Sequence, residues 1–195
     1  MKLLMFGGTF NPVHIGHLFI AEEARVSLGY DKVIFVPAYK PAHKQIVSGV
    51  LPEDRLNMLS LAIKNNEFFS VDDCEITRRG VSYTLDTIDY LYNRFSPEGK
   101  LGLLIGDDLV PGFSTWKKAD VLPELVDIVI ARRTSESPYK VEWRHRYITN
   151  TIIHVSSSDI RNRVAENRAF RYLVPYEVYE YISKKGLYHV DKTSS

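Results

Sequence analysis

The sequence predicts an α/β fold of the Rossmann-like, doubly wound kind, with a mainly parallel sheet covered by helices and gathered into a single domain. Three observations predict it. Short apolar runs alternate with longer amphipathic stretches along the chain. The runs are apolar at nearly every position, as strands buried on both faces are. No linker interrupts the 195 residues, a length that one hydrophobic core can serve. The domain is expected over 1–190, with 191–195 as a frayed tail.

The elements follow in order. Leu3 to Phe6 reads as the first strand, and Leu18, Ala21, Ala24 and Leu28 recur at helical spacing up to a stop at Gly29. Val33 to Val36 is a second strand. A helix opens near Pro52 with Glu53 and Asp54 at its positive dipole end, and Leu56, Leu59 and Ile63 are expected on its inner face. Val71 to Ile76 is a strand interrupted by Asp72 and Asp73. A third helix starts at about Thr84, capped by Ser82 or Thr84, with Leu85, Ile88, Leu91 and Phe95 inward. Leu101 to Ile105, Ile128 to Ala131 and Ile152 to Val155 read as further strands. A last helix from Pro175 carries Val178 and Ile182 and ends at Lys184-Lys185-Gly186. Pro37 to Gly49 and Arg133 to Tyr147 read as irregular loops.

Composition narrows the function classes. The chain is 45% hydrophobic and 25% charged, with a net charge of +1. That balance excludes wholesale disorder and a broad basic field for nucleic acid or anionic membrane, so an anion site must be local. Cys74 is the single cysteine, which excludes an intramolecular disulfide and fits a reducing compartment. The apolar N-terminal run is too short for a signal-peptide core, and no window of about 18 uncharged apolar residues occurs. A soluble, cytoplasmic protein is expected, either monomer or homo-oligomer.

The chemistry concentrates after the first strand, in Gly7-Gly8-Thr9-Phe10-Asn11-Pro12-Val13-His14-Ile15-Gly16-His17. Ligands in open parallel sheets bind beyond the carboxyl ends of strands. Gly7 and Gly8 permit close approach of backbone to ligand, and the N–H groups opening the next helix favour phosphate. His14 and His17, three apart, share a helix face, so both imidazoles can offer N–H donors to one phosphoryl group. Such a pair alone is also met as a surface feature or half of a metal site. His43, His145, His154 and His189 lie scattered without ligand spacing, which disfavours structural zinc. Near the C-terminus, Ser156-Ser157-Ser158-Asp159-Ile160-Arg161 offers a helix cap at Ser157 or Ser158, with Arg161 one turn on able to reach the same anion.

These two motifs resemble the [T/H]-x-G-H and I-S-S-T-x-I-R motifs of the nucleotidyltransferase superfamily. Within it the chain is most similar to the bacterial nicotinate mononucleotide adenylyltransferases, from Lys2 to about Tyr188. Supporting segments include Val36-Pro37, Pro41-Ala42-His43-Lys44, Arg55-Leu56-Asn57-Met58-Leu59, Gly80-Val81-Ser82-Tyr83-Thr84-Leu85-Asp86-Thr87, Ile105-Gly106-Asp107-Asp108-Leu109 and Gly186-Leu187-Tyr188. Asn11 stands where many members carry Asp, and Ser158 where Thr is usual.

The resemblance implies adenylyl transfer from ATP to nicotinate mononucleotide in NAD biosynthesis, with Mg²⁺ held mainly by substrate phosphates and neither nucleic acid nor membrane as partner. It places His17 on the α-phosphate and His14 with Arg161 on the phosphate chain. Gly7, Gly8, Thr9, Phe10, Gly16, Lys44, Ser157 and Ser158 are expected around the phosphates, with Gly106 and Asp108 beside the adenosine ribose. Tyr83, Thr84, Trp116 and Arg133 are expected at the pyridine nucleotide, with Trp116 stacking on the ring. On the residues alone, Trp116 also suits a core position, Tyr83 a strand end, and Arg132-Arg133 an exposed basic pair. The competing readings are transfer to nicotinamide mononucleotide or phosphopantetheine, and a nucleotide sensor without turnover. A class I aminoacyl-tRNA synthetase fragment shares H-I-G-H, but the chain has no K-M-S-K-S-type motif.

Overall fold

In the computed structural model, which describes residues 1–42, 49–133 and 139–189, the expected alternation holds. In chain order the elements are β1 (Leu3–Gly8), α1 (Ile15–Leu28), β2 (Lys32–Pro37), β3 (Lys40–Pro41), α2 (Pro52–Ile63), β4 (Phe69–Val71), α3 (Cys74–Arg78), β5 (Val81–Ser82) and α4 (Thr84–Phe95). Then come β6 (Gly102–Gly106), a 3-10 segment (Asp107–Thr115), α5 (Leu122–Leu125), β7 (Asp127–Ala131), β8 (Arg146–Tyr147), α6 (Ser157–Ala165), a short 3-10 turn (Arg171–Leu173) and α7 (Tyr176–Lys185).

Six strands form one sheet in the order β4-β2-β1-β6-β7-β8, and its pairs are all parallel. Strand alternation sends Leu4, Phe6, Val33 and Phe35 to one face, where they meet Ala21 and Ala24 of α1, Met58 and Leu59 of α2, Ile160 of α6 and Val178 of α7. Leu3, Met5, Ile34 and Val36 go to the other face, with Ile88 and Leu91 of α4 and Leu122 of α5. Both faces are therefore dry, which is why these strands read as unbroken apolar runs. Gly29 and Gly186 end α1 and α7 in the left-handed conformation (φ 68° and 62°), as expected of helix-stop glycines. Cys74 is a buried free thiol, and among the described residues no helix is long and apolar enough to cross a membrane.

β1 lies between β2 and β6, with later strands stepping outward on both sides. Connections diverge there, and a crevice opens beyond the carboxyl ends of β1 and β6. A two-stranded parallel ladder, β3 with β5, bridges this rim, and the Tyr39 N–H donates to Ser82 Oγ at 3.0 Å.

Several local expectations are corrected. Ile152 to Val155 is not a strand. The Asn150 side chain bonds both the N–H and the carbonyl of Arg132, at 2.9 and 2.8 Å, and occupies the place beyond β7 that another strand would take. The sixth strand is instead β8, whose continuation places the Ile148 N–H on the Ile130 carbonyl. Val71 to Ile76 divides into β4 and α3, because Asp72 Oδ1 accepts the Cys74 N–H at 3.0 Å and turns the chain into a helix. In α2 the fully buried face is Arg55, Met58 and Leu59, with Leu56 only half-buried. The N-cap of α4 is Tyr83, which makes no side-chain cap, since Ser82 is engaged by Tyr39. The loop 37–49 contains β3, its residues 43–48 lying outside the described region, as do 134–138 of the second loop and the tail 190–195.

A Cβ at Gly102 would meet Tyr30 Oη at 2.5 Å and Leu4 Cδ1 at 2.7 Å, whereas one at Gly112 meets nothing within 4 Å. Gly102→Ala should therefore lose about 1–3 kcal/mol by overpacking, and Gly112→Ala should lie within about 0.5 kcal/mol of wild type, both read by denaturant unfolding.

Candidate active site

The crevice holds a cavity of about 450 Å³. Its floor is the loop leaving β1. Phe10, in the left-handed region at φ 49°, is 2% exposed and folds its ring against Phe6, Phe35 and His17. That fold requires glycine at position 8, where a Cβ would lie 2.9 Å from Phe10 Cζ. Beneath it, Arg55 is fully buried and donates from Nη1 to the Thr9 carbonyl at 2.7 Å and from Nη2 to the Tyr39 carbonyl at 3.2 Å. Gly7, Gly8, Thr9 and Phe10 all line the cavity, as the spacing of the first motif predicts.

The two histidines lock each other. His14 is the N-cap of α1: its Nδ1 accepts the His17 N–H at 3.4 Å, and His17 Nδ1 accepts the His14 N–H at 3.3 Å. The rings stack 3.6 Å apart. An acceptor Nδ1 on a neutral imidazole places the proton on Nε2, so each ring is held as an Nε2–H donor. His17 lines the main cavity. His14 is 2% exposed and lies behind it, lining a small adjoining space with Gly16, Arg132 and Val155. His14 Nε2 is buried with no hydrogen-bond partner. Burial, and secondarily the charge of Arg133, lowers the His14 pKa to about 3. Gly16 acts as a spacer beside these rings, for a Cβ there would lie 2.9 Å from Val155 Cγ1 and 3.2 Å from the His14 ring.

Beside the histidines, where Val155 closes on Gly16, α6 begins at the cavity, and Ser156, Ser157 and Ser158 line it. The cap is Ser156, whose Oγ accepts the Asp159 N–H at 3.1 Å, rather than Ser157 or Ser158. Ser157 is spent otherwise, donating its Oγ–H to the Pro12 carbonyl at 2.9 Å. Arg161 is not among the lining residues. Its Nη1 donates to the Asn11 carbonyl at 2.8 Å and its Nη2 to Ser158 Oγ at 3.1 Å, so it ties α6 to the β1 loop from behind. The side chain of Asn11 is equally occupied: Oδ1 accepts the Tyr188 hydroxyl at 2.7 Å. A carboxylate is not needed for that contact.

At the end of β6, a Cβ on Gly106 would collide with Asp108 Oδ1 and lie 2.6 Å from Arg133 Cδ. Arg133 donates its N–H to Asp107 Oδ1 at 2.9 Å and its Nη1 to Asp108 Oδ2 at 3.1 Å. These contacts put Arg133 beside Gly106 and Asp108, and it also lines the space in front of His14.

The remaining end of the cavity is built by Tyr83, Thr84 and Trp116. Trp116 ends the 3-10 segment and leans on Phe113, with centroids 5.2 Å apart, leaving it half-buried with a face to the cavity. The α4 N-terminus starts here without a side-chain cap. Two charged residues at this end escaped the sequence reading. Glu75 lines the cavity while 95% buried and accepts the Thr87 hydroxyl at 2.5 Å. Lys117 lines it with Nζ 2.8 Å from Asp86 Oδ1 and 4.8 Å from the Tyr83 ring centroid. Glu75 lies in the segment expected to be a strand, and Lys117 follows Trp116 in a stretch with no periodicity, so neither was assigned to the site. Lys44 falls outside the described residues.

Residues 5–163 match the family described as cytidylyltransferase-like. The chain is 44% identical to "Probable nicotinate-nucleotide adenylyltransferase" of Borreliella afzelii, over 96% of this chain and 97% of that one. It is 39% identical to the protein of the same name from Moorella thermoacetica, over 94% and 90%. Among solved structures, nicotinic acid mononucleotide adenylyltransferase of Plasmodium falciparum complexed with NaAD superposes with a TM-score of 0.78 at 16% identity, over 96% and 97%, and so shares the fold.

The neutral state of His14 carries a pH signature. An unfolded histidine takes a proton near pH 6.5 and the folded one only near 3. Between those values the unfolded chain binds more protons, so stability falls as pH falls, at up to about 1.4 kcal/mol per pH unit. His14→Asn, which keeps a capping acceptor, should lose less stability than wild type between pH 6.5 and 4 in parallel urea titrations.

Proposed function

This chain belongs to the cytidylyltransferase-like family and, within it, to the nicotinate-nucleotide adenylyltransferases; from that premise we propose that it joins ATP and nicotinate mononucleotide into nicotinate adenine dinucleotide and pyrophosphate. The observation that carries this reading is the reciprocal His14–His17 lock at the mouth of β1, docked beside the α6 N-terminus on a cavity of about 450 Å³.

A phosphate oxygen of the mononucleotide attacks the α-phosphorus of ATP, forming one P–O bond. The bond from that phosphorus to the α–β bridging oxygen breaks, and pyrophosphate carries the electron pair away. Phosphoryl transfer of this kind needs positioning and charge stabilisation rather than a covalent intermediate. His17 Nε2–H donates to the α-phosphate oxygens as negative charge shifts onto them. Burial keeps His14 neutral with its proton on Nε2, and that donor is assigned to the phosphate chain. The N–H groups opening α6 and the backbone of Gly7 to Phe10 receive phosphate, and Arg161 adds its charge from behind while holding the two loops together. Lys44 remains a phosphate ligand proposed on the sequence alone.

Gly106, whose missing Cβ makes room for Asp108 and Arg133, and Asp108 belong to the adenosine side, with Arg133 beside them. Trp116 stacks on the pyridinium ring, and the uncapped N–H groups at Tyr83 and Thr84 receive the nicotinate carboxylate. Among the described residues no three His, Cys, Asp or Glu side chains gather as a metal site, and Asp108 is engaged by Arg133. The residues thus suit Mg²⁺ carried on the phosphate oxygens, where it supplies charge shielding. The chain's own part is to orient those phosphates.

Initial rates of pyrophosphate release with nicotinate mononucleotide, nicotinamide mononucleotide and phosphopantetheine test the assignment; a preference for phosphopantetheine would overturn it. His17→Ala should lower kcat by about a hundred- to a thousandfold with a melting temperature close to wild type. Trp116→Ala should raise KM for the pyridine nucleotide more than KM for ATP, and an equal rise in both would contradict stacking.

A further inference from the structure

The charges lining the cavity are unevenly compensated. Among the described lining residues the cations are Lys117 and Arg133, and the carboxylates are Glu75 and Asp108. Arg133 and Asp108 pair at the end of β6 and β7, with 3.1 Å between Nη1 and Oδ2. The charge left at the Tyr83–Trp116 end is Glu75 and Lys117, with Asp86 just outside and Arg78 donating from Nη2 to the Thr87 hydroxyl at 3.3 Å. Glu75 is buried and fixed by Thr87. Asp86 sits in the first turn of α4 and holds Lys117 Nζ at 2.8 Å. Lys117 also crosses the Tyr83 ring at 4.8 Å, and both members of the pair are partly exposed (side chains 43% and 36%), so the ammonium can change partners without unfolding anything.

A nicotinate ring entering here is a pyridinium that carries a carboxylate, and that carboxylate meets two others, offset by the α4 N-terminus, by Arg78 beside the Glu75–Thr87 pair and by the Lys117 ammonium. The amide-bearing ring is the same pyridinium without the carboxylate, so it escapes that repulsion. Backbone N–H groups alone do not remove that bias. We infer that the side chain of Lys117 is a specificity-determining residue, neutralising Asp86 and the incoming carboxylate so that the acid mononucleotide is accepted over the amide. The inference rests on the reading above that nicotinate mononucleotide is the acceptor, and it concerns the lysine side chain, not the backbone donors of α4.

The signs can be tested in opposite directions. With ATP saturating, kcat/KM is measured for nicotinate and nicotinamide mononucleotide in wild type, Lys117→Gln, Asp86→Asn and the double variant, with melting temperatures as a fold control. Lys117→Gln should lower the acid-to-amide ratio about three- to thirtyfold, a scale set by one charge at a partly exposed site. The loss should fall in KM for the acid, leaving KM for ATP unchanged. Asp86→Asn should raise the ratio, and the double variant should recover part of the loss. An unchanged ratio in Lys117→Gln, an equal loss for both acceptors, or no recovery in the double variant overturns the inference while leaving the proposed reaction intact. Wild-type protein that turns over neither pyridine mononucleotide overturns the proposed reaction, and this inference with it.

Discussion

A buried guanidinium holds the mouth of this sheet together. Arg55 is fully enclosed on the inner face of α2, and its two terminal nitrogens meet the carbonyl of Thr9 after β1 and that of Tyr39 after β2. Both carbonyls belong to chain that has just left the sheet and lost its ladder partners, where an unmade hydrogen bond costs the full desolvation of the group. The consequences run both ways along the cleft. Thr9 is continuous with Phe10 and the histidine-bearing start of α1. Tyr39 passes its N–H to Ser82, and the β3–β5 ladder sets where Tyr83 and α4 begin. One side chain from a helix therefore registers the β1 loop against the start of α4. Burial pulls the Arg55 pKa down from its ordinary value, but a guanidinium has room to fall and stays charged.

The histidine pair shows how burial can prepare a donor. Each imidazole caps the other's backbone, which places the proton of each neutral ring on Nε2. The stacking that results would be repulsive between two imidazolium rings. Enclosure of His14 removes that conflict by keeping it neutral. Donors at such a site are effective because they are already oriented when the charge moves.

The two ends of the cavity are built on different principles. At the β1-loop end, backbone dominates: a left-handed Phe10, Gly8 giving its ring room, and a helix start whose serines and Arg161 dock the α6 turn onto the β1 loop. At the other end, side chains dominate, with an aromatic face, a buried carboxylate and a movable ammonium. Membership of the adenylyltransferase family accounts for both halves, and the cross-links through Arg55 and through Tyr188 to Asn11 explain how elements far apart in sequence present one site.

Much was legible in the order of residues, because the physics involved is local. Strands buried on both faces are apolar throughout, so β1, β2, β6 and β7 could be read directly. Helix stops at Gly29 and Gly186 follow from backbone sterics, and His14 and His17 from helical spacing. What failed depended on partners that sequence does not name. Ile152 to Val155 is apolar enough for a strand, yet Asn150 occupies the neighbouring backbone of Arg132. Ser82, Ser157 and Ser158 are good caps in isolation but are claimed by Tyr39, Pro12 and Arg161. Arg161 was expected in the cavity and instead spends its donors behind it. Local periodicity and chain sterics thus determined the strands, the helices and the site's place at the end of β1. Only tertiary structure decided which polar side chains reach the ligand space, since each has several partners within reach and folding selects among them by burial.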